Sequence, residues 1–161
     1  MKALVAVYED WGIGRDGTQP LVIPADRKFF REITGNSPII VGRRTLEDFP
    51  GGRPLKNRPN IVLTRQNIEI EGATVVHSVE EALEAVKDWG DDVFVVGGES
   101  VFNAMLPYCK RAYVTKIAPN PGSDVFFPNL DQDPEWKCTD PGQELDYEGI
   151  KYRFCIYDRV K

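Results

Sequence analysis

The sequence predicts an α/β fold: a mixed, mostly parallel sheet of about eight strands with flanking helices and an antiparallel C-terminal part. Three observations carry this expectation. Strand-like and helix-like segments alternate through the first two thirds of the chain, the order expected of parallel strands joined by helical crossovers. The stretch "DDVFVVGG" (Asp91 to Gly98) has no polar alternation, which marks a central strand covered on both faces. After Pro107 the chain changes to "RAYVTKI", "EWKCTD" and "IKYRFCIYDRV", strand-like pieces with no convincing helix between them, so the last third adds antiparallel strands.

The elements follow in order. "KALVAVY" is β-branched and apolar and forms the first strand. "PADRKFFREITG" is helical in period, with Pro24 suited to the first turn and Gly35 to the end. "SPIIVG" is a buried strand, and "PNIVLT" and "GATVVH" are two more. "SVEEALEAVKDWG" (Ser78 to Gly90) is the clearest helix: Ser78 and Glu81 form a capping-box pattern, and Val79, Leu83 and Val86 define one apolar stripe. A short helix, "SVFNAML", follows the central strand. No repeat, low-complexity tract or linker interrupts the chain, so residues 1–161 are expected to form a single domain with one sizeable core.

The formal charge of −5 argues against a nucleic-acid partner, which calls for a basic surplus. Cys109, Cys138 and Cys155 are odd in number and form no CxxC pair, favouring reduced thiols in a reducing compartment. His77 is the one histidine, which excludes a histidine-rich metal site, and no metal is expected. The opening "MKALVAVYEDWG" lacks the long apolar core and cleavage site of a signal peptide, and no run reaches membrane-spanning length. A cytoplasmic protein is expected.

"GIGRDG" (Gly12 to Gly17) matches the dinucleotide fingerprint G-x-G-x-x-G but fails its structural test. That motif opens a helix whose N-terminus faces the pyrophosphate. Here "TQPLVIP" follows, and Pro20 and Pro24 hold it extended, so the glycines are read as a mobile loop.

Asp26 raises the chemical question. In the helix from Pro24, Asp26, Phe30 and Ile33 fall at i, i+4 and i+7 with Phe29 beside them, while Arg27, Lys28, Arg31 and Glu32 point more nearly away. A first-turn aspartate can merely complement the helix dipole, worth about 0.3–1 kcal/mol. A desolvated carboxylate on an apolar face has a second use: a raised pKa, and the capacity to bind an amidine-like edge and help move a proton.

The chain resembles dihydrofolate reductase nearly end to end. The matching pieces, in order, are "IG" at Ile13, "P-x-x-x-PAD" from Pro20, "VGRRT" from Val41, "RPL" then "RPNIVLT", "VVGG" from Val95 and "VTKI" from Val114. Their order and spacing make the set specific. The resemblance implies hydride transfer from NADPH to C6 of dihydrofolate with protonation at N5. It makes Asp26 the single acid of the pterin pocket, holding the 2-amino group and N3, with Thr115 bonded to it. Val5 and Val96 present backbone carbonyls to the pterin, and Phe30 packs on its rings. Leu55 and Arg27 line the pocket towards the tail, and Arg58 grips the α-carboxylate of the folate glutamate.

On the cofactor side the resemblance assigns Ala6 and Ile13, with Gly14, to the nicotinamide. Gly42, Arg44 and Thr45 reach the pyrophosphate, and Arg43 and Arg65, beside Leu63 and Thr64, lie near the adenosine 2′-phosphate. Val96, Gly97 and Gly98, a pair carrying a cis peptide in the family, let backbone approach the cofactor, and Glu99, Ser100, Val101 and Phe102 open the next helix. The implied partners are dihydrofolate and antifolate inhibitors, and the implied state is a monomer.

Four positions depart from the family pattern. Leu21 stands where tryptophan is usual and has no indole N–H to hold a pocket water, and Gln19 and Val22 differ in the loop over the nicotinamide. Arg27 replaces a usually apolar residue, and its charge is expected to draw the anionic substrate and weaken antifolates with uncharged tails. The competing readings are another reductase of the same fold, such as the pyrimidine reductase of riboflavin synthesis, and a nucleotide- or folate-binding protein without turnover.

Overall fold

The computed structural model describes residues 1–161. Its strands are β1 (Lys2–Val7), β2 (Gly12–Gly14), β3 (Ile39–Gly42), β4 (Asn60–Leu63), β5 (Thr74–Val76), β6 (Phe94–Gly97), β7 (Arg111–Ile117), β8 (Val125–Phe126), β9 (Trp136–Asp140), β10 (Leu145–Tyr147) and β11 (Ile150–Arg159). The helices are α1 (Pro24–Thr34), α2 (Arg43–Glu47), α3 (Val79–Ala85) and α4 (Glu99–Met105). One sheet runs β10-β11-β7-β1-β6-β3-β4-β5, with β9 pairing β11 as a ninth strand. Strands from β7 to β5 along this order are parallel, and β9, β10 and β11 are joined antiparallel. This is the expected mixed sheet.

The crossovers bury both faces of the central strands. Ala3, Val5 and Val7 enter one core with Phe102, Met105, Phe127 and Tyr157, while Leu4 enters a second with Phe94, Val96 and the partly buried Phe29, Phe30 and Ile33 of α1. Alternation along one strand therefore feeds both layers. No helix is long and apolar enough to cross a membrane.

Two expectations need correction. The helix read over Ser78–Gly90 ends at Ala85: Val86 leaves helical geometry (φ −116°, ψ 9°) and a 3-10 turn over Lys87–Trp89 completes the segment. Burial of Val86 in the core outweighs the continued helical period. The glycine loop is in part a strand, because β2 pairs antiparallel with β8. The capping pattern itself forms, with the Glu81 amide donating to Ser78 Oγ at 3.1 Å, but the Glu81 carboxylate accepts from the amide of His77 rather than Ser78.

Candidate active site

The site begins where two parallel strands part. The β1–β7 ladder continues to Val7 opposite Lys116, but the β1–β6 ladder ends at Ala3 opposite Val95. Beyond that point Val5 and Ala6 on one side and Val96 and Gly97 on the other border a cleft at the carboxyl ends of the strands, where open α/β sheets bind ligands. Val5 and Val96 are buried, so they offer a ligand backbone rather than side chain.

Helix α1 lies along this cleft. Pro24 occupies its first turn, the Ile23 carbonyl accepts from the Asp26 amide at 2.9 Å, and Gly35 ends it with φ 51° and an N–H to the Arg31 carbonyl. Asp26 then stands against β7, where the Thr115 hydroxyl, 1% exposed, donates to its Oδ1 at 2.6 Å. Burial raises the Asp26 pKa above the ordinary value, the Thr115 bond opposes that shift, and the charge of Arg27 opposes it further. The result is one carboxyl group poised to bind a proton-bearing edge and to hold a proton. Thr115→Val, which keeps the shape and removes the donor, is expected to lower activity at neutral pH about tenfold. The same loss destabilises the ionised carboxylate, so the inflection of the pH–rate profile moves to higher pH.

Phe30 and Leu55 are half-buried beside Phe49, with Phe30 and Phe49 meeting edge to face at 6.3 Å. Arg58 is braced at the far end: Nε donates to the Lys56 carbonyl at 3.0 Å and Nη1 to Thr34 Oγ1 at 2.5 Å, leaving Nη2 without a partner in the chain. Desolvation lowers the Arg58 pKa from its usual value. Sequence reasoning missed two supports here. Thr34 is fully buried, and its hydroxyl donates to the Phe30 carbonyl at 2.8 Å. Asn60 bonds both backbone groups of Leu55 and the Arg58 carbonyl, shaping the loop between them. Their one signal was a polar residue beside an apolar run. Arg27 is exposed and makes no ion pair or side-chain hydrogen bond.

Across the cleft, α2 and α4 follow β3 and β6 directly, and neither has a side-chain cap, so their first amides are free to bind a ligand. The approach is close. A Cβ on Gly42 would lie 3.2 Å from Val101 Cγ2, and one on Gly98 would lie 3.1 Å from Thr45 Oγ1. The Gly97–Gly98 peptide is cis. Bare backbone and two adjacent helix starts fit the phosphates and carboxamide of a nicotinamide nucleotide. Arg44 and Arg65 are exposed and unpaired, whereas Arg43 pairs with Glu47 and bonds Gln66.

The remaining assigned residues fall around this floor. Leu63 ends β4 and Thr64 follows it, with Thr64 Oγ1 accepting from the Gln66 amide at 3.2 Å. The Glu99 carboxylate accepts from the Phe126 amide at 2.6 Å, and Val101 and Phe102 are core residues, so only their backbone is available to a ligand. Ser100 is exposed in α4, and Ile13 and Gly14 lie in β2.

The dihydrofolate reductase family model matches residues 1–159. A dihydrofolate reductase of Haemophilus influenzae is 41% identical, covering 78% of this chain and 76% of its own. That of Mycobacterium tuberculosis is 38% identical over 91% of this chain and 90% of its own. The solved structure of dihydrofolate reductase from Enterococcus faecalis, complexed with NADP(H) and RAB-propyl, superposes with a TM-score of 0.85 at 34% identity, covering 99% of this chain and 96% of that one. With the family model matching nearly the whole chain and relatives at this identity and coverage, this chain belongs to the dihydrofolate reductase family.

Proposed function

We propose that Asp26, Thr115, Arg58 and the cleft between β1 and β6 carry out the family's reaction in this chain. The protein is a dihydrofolate reductase: it reduces 7,8-dihydrofolate to 5,6,7,8-tetrahydrofolate with NADPH. The observation that carries the residue assignment is the desolvated Asp26 carboxylate bonded to Thr115 at the mouth of the split sheet.

Asp26 accepts hydrogen bonds from the pterin's 2-amino group and N3, which fixes the ring's orientation in the cleft, and it promotes protonation of N5 through water. Thr115 keeps Oδ1 aimed. Val5 and Val96 receive pterin N–H groups on their carbonyls, and Phe30 and Leu55 cover the rings and exclude water. The free edge of the Arg58 guanidinium takes the glutamate α-carboxylate, and Arg27 adds a nearby positive charge. When bound, NADPH supplies the hydride. Ala6, Ile13 and Gly14 hold its carboxamide end. The amides around Gly42, Arg44, Thr45, Gly97, Gly98 and Ser100 hold its phosphates, and Arg43 and Arg65 select the 2′-phosphate. The protein acts as a monomeric, cytoplasmic single domain and is a target for antifolates.

NADPH oxidation that depends on dihydrofolate tests the reading. In that assay Arg58→Leu is expected to raise the KM for dihydrofolate by about tenfold or more with kcat little changed, because the contact is the same in ground and transition states. An unchanged KM removes Arg58 from the site. Oxidation that a deaminated pyrimidine supports and dihydrofolate does not overturns the whole reading.

A further inference from the structure

The strap between β1 and α1 is held by one side chain. Tyr8, at the carboxyl end of β1, is 2% exposed, and its hydroxyl donates to the Leu21 carbonyl at 2.7 Å and accepts from the Leu21 amide at 3.0 Å. Leu21 has no polar side-chain atom, and neither of its backbone groups makes a backbone hydrogen bond, so the phenol is the single anchor for both. A phenol can do this because it carries one donor and two acceptor sites.

The anchor connects to the acid. Just after Leu21, Ile23 caps α1, accepting the amides of Asp26 at 2.9 Å and Arg27 at 3.3 Å, and its side chain packs with Tyr8, Ile117 and Tyr152. Asp26 bonds Thr115, and Thr115 lies opposite Ala6 in the β1–β7 ladder. The contacts close a ring that runs from Tyr8 through Leu21, Ile23, Asp26 and Thr115 back to β1. Asp26 is therefore located from two directions, by Thr115 directly and by Tyr8 through the helix cap. Burial raises the Tyr8 pKa, the Leu21 bond opposes that shift, and the Asp26 charge adds to it.

We propose that Tyr8 is a positioning residue for the reduction: its hydroxyl fixes Leu21, thereby sets where Asp26 stands, and acts on the chemical step rather than on capture of NADPH. This rests on Asp26 being the acid of the pterin pocket.

Tyr8→Phe tests it, since the ring and its packing stay and both bonds go. The expected result is a kcat at neutral pH reduced about tenfold, a shifted inflection in the pH–rate profile, and an NADPH Kd equal to that of wild type by fluorescence titration. Wild-type kcat and pH profile in the folded variant overturn the proposal, and so does a lowered Tm with an unmoved inflection, which shows structural support alone. Hydrogen exchange at the Leu21 amide of the wild-type protein gives a test that needs no variant. Protection of about tenfold or more supports the anchor, and exchange at the rate of a free loop amide overturns it. Asp26→Asn is assayed alongside. If that variant keeps full activity, the assignment of Asp26 fails first, and the failure is distinct from one confined to Tyr8→Phe.

Discussion

Asp26→Asn is expected to lower the rate of dihydrofolate reduction at neutral pH by about a hundredfold or more, the range lost when a positioned acid–base group is removed. Asparagine keeps the volume and can still accept the Thr115 hydroxyl, so the loss reports the carboxylate itself. Activity partly returns in acid, where dihydrofolate binds its proton from solvent. The same variant makes an opposite prediction for stability. Burial raises the folded pKa of Asp26 above its unfolded value, so the neutral form suits the fold. The penalty is absent below the unfolded pKa, grows as pH rises towards the folded pKa, and is complete above it. Asp26→Asn should therefore raise Tm at pH 7 and lose that advantage in acid. Stability gained where activity is lost marks a residue kept for chemistry.

Gly97→Ala is expected to destabilise the protein by about 1–3 kcal/mol and to weaken NADPH binding. Gly97 has φ 112°, a region closed to alanine, and a Cβ there would lie 3.0 Å from Phe102 Cε2. Phe102 has little room to yield, since it is 2% exposed and meets Phe127 edge to face at 4.9 Å. The methyl group thus moves β6 or α4, the two elements whose backbone is proposed to floor the cofactor side. Chemical denaturation reads the first effect and fluorescence titration with NADPH the second. Wild-type values in both would show that backbone approach at Gly97 is not limiting.

The buried strands were legible because their patterns have one physical explanation. An unbroken run such as Phe94–Gly97 must be covered on both faces, and Asp26 on the Phe30 face of α1 must point at the core or a cleft. The short pairings were not. β8 spans Val125–Phe126 and β10 spans Leu145–Tyr147, too few residues to show a period of two; β10 forms on the edge of the long β11, and β8 pairs with the similarly short β2. The end of α3 at Ala85 was likewise invisible, since Val86 keeps the helical spacing and leaves it only to pack.

In the site, the residues proposed to meet the ligand come from the resemblance, while the contacts that hold them come only from the structure. Thr34 braces Arg58 from 24 residues away, and Asn60 folds the Leu55–Arg58 loop onto its own side chain, a local contact that residue type alone does not announce. Tyr8 reads as the last apolar residue of a strand, because nothing in "KALVAVY" reveals that its hydroxyl meets Leu21. Leu21 itself looked like a loss relative to tryptophan. The structure shows its backbone already secured by a neighbour.

The most direct test of the account is the titration of the Asp26 carboxyl carbon by NMR, with the protein labelled at aspartate and the signal assigned through Asp26→Asn. The account predicts an inflection above the ordinary aspartate value of 3.8, moving higher in Thr115→Val. A carboxyl that titrates at or below 3.8 and ignores Thr115 would contradict it, because the acid would then be solvated and unsupported.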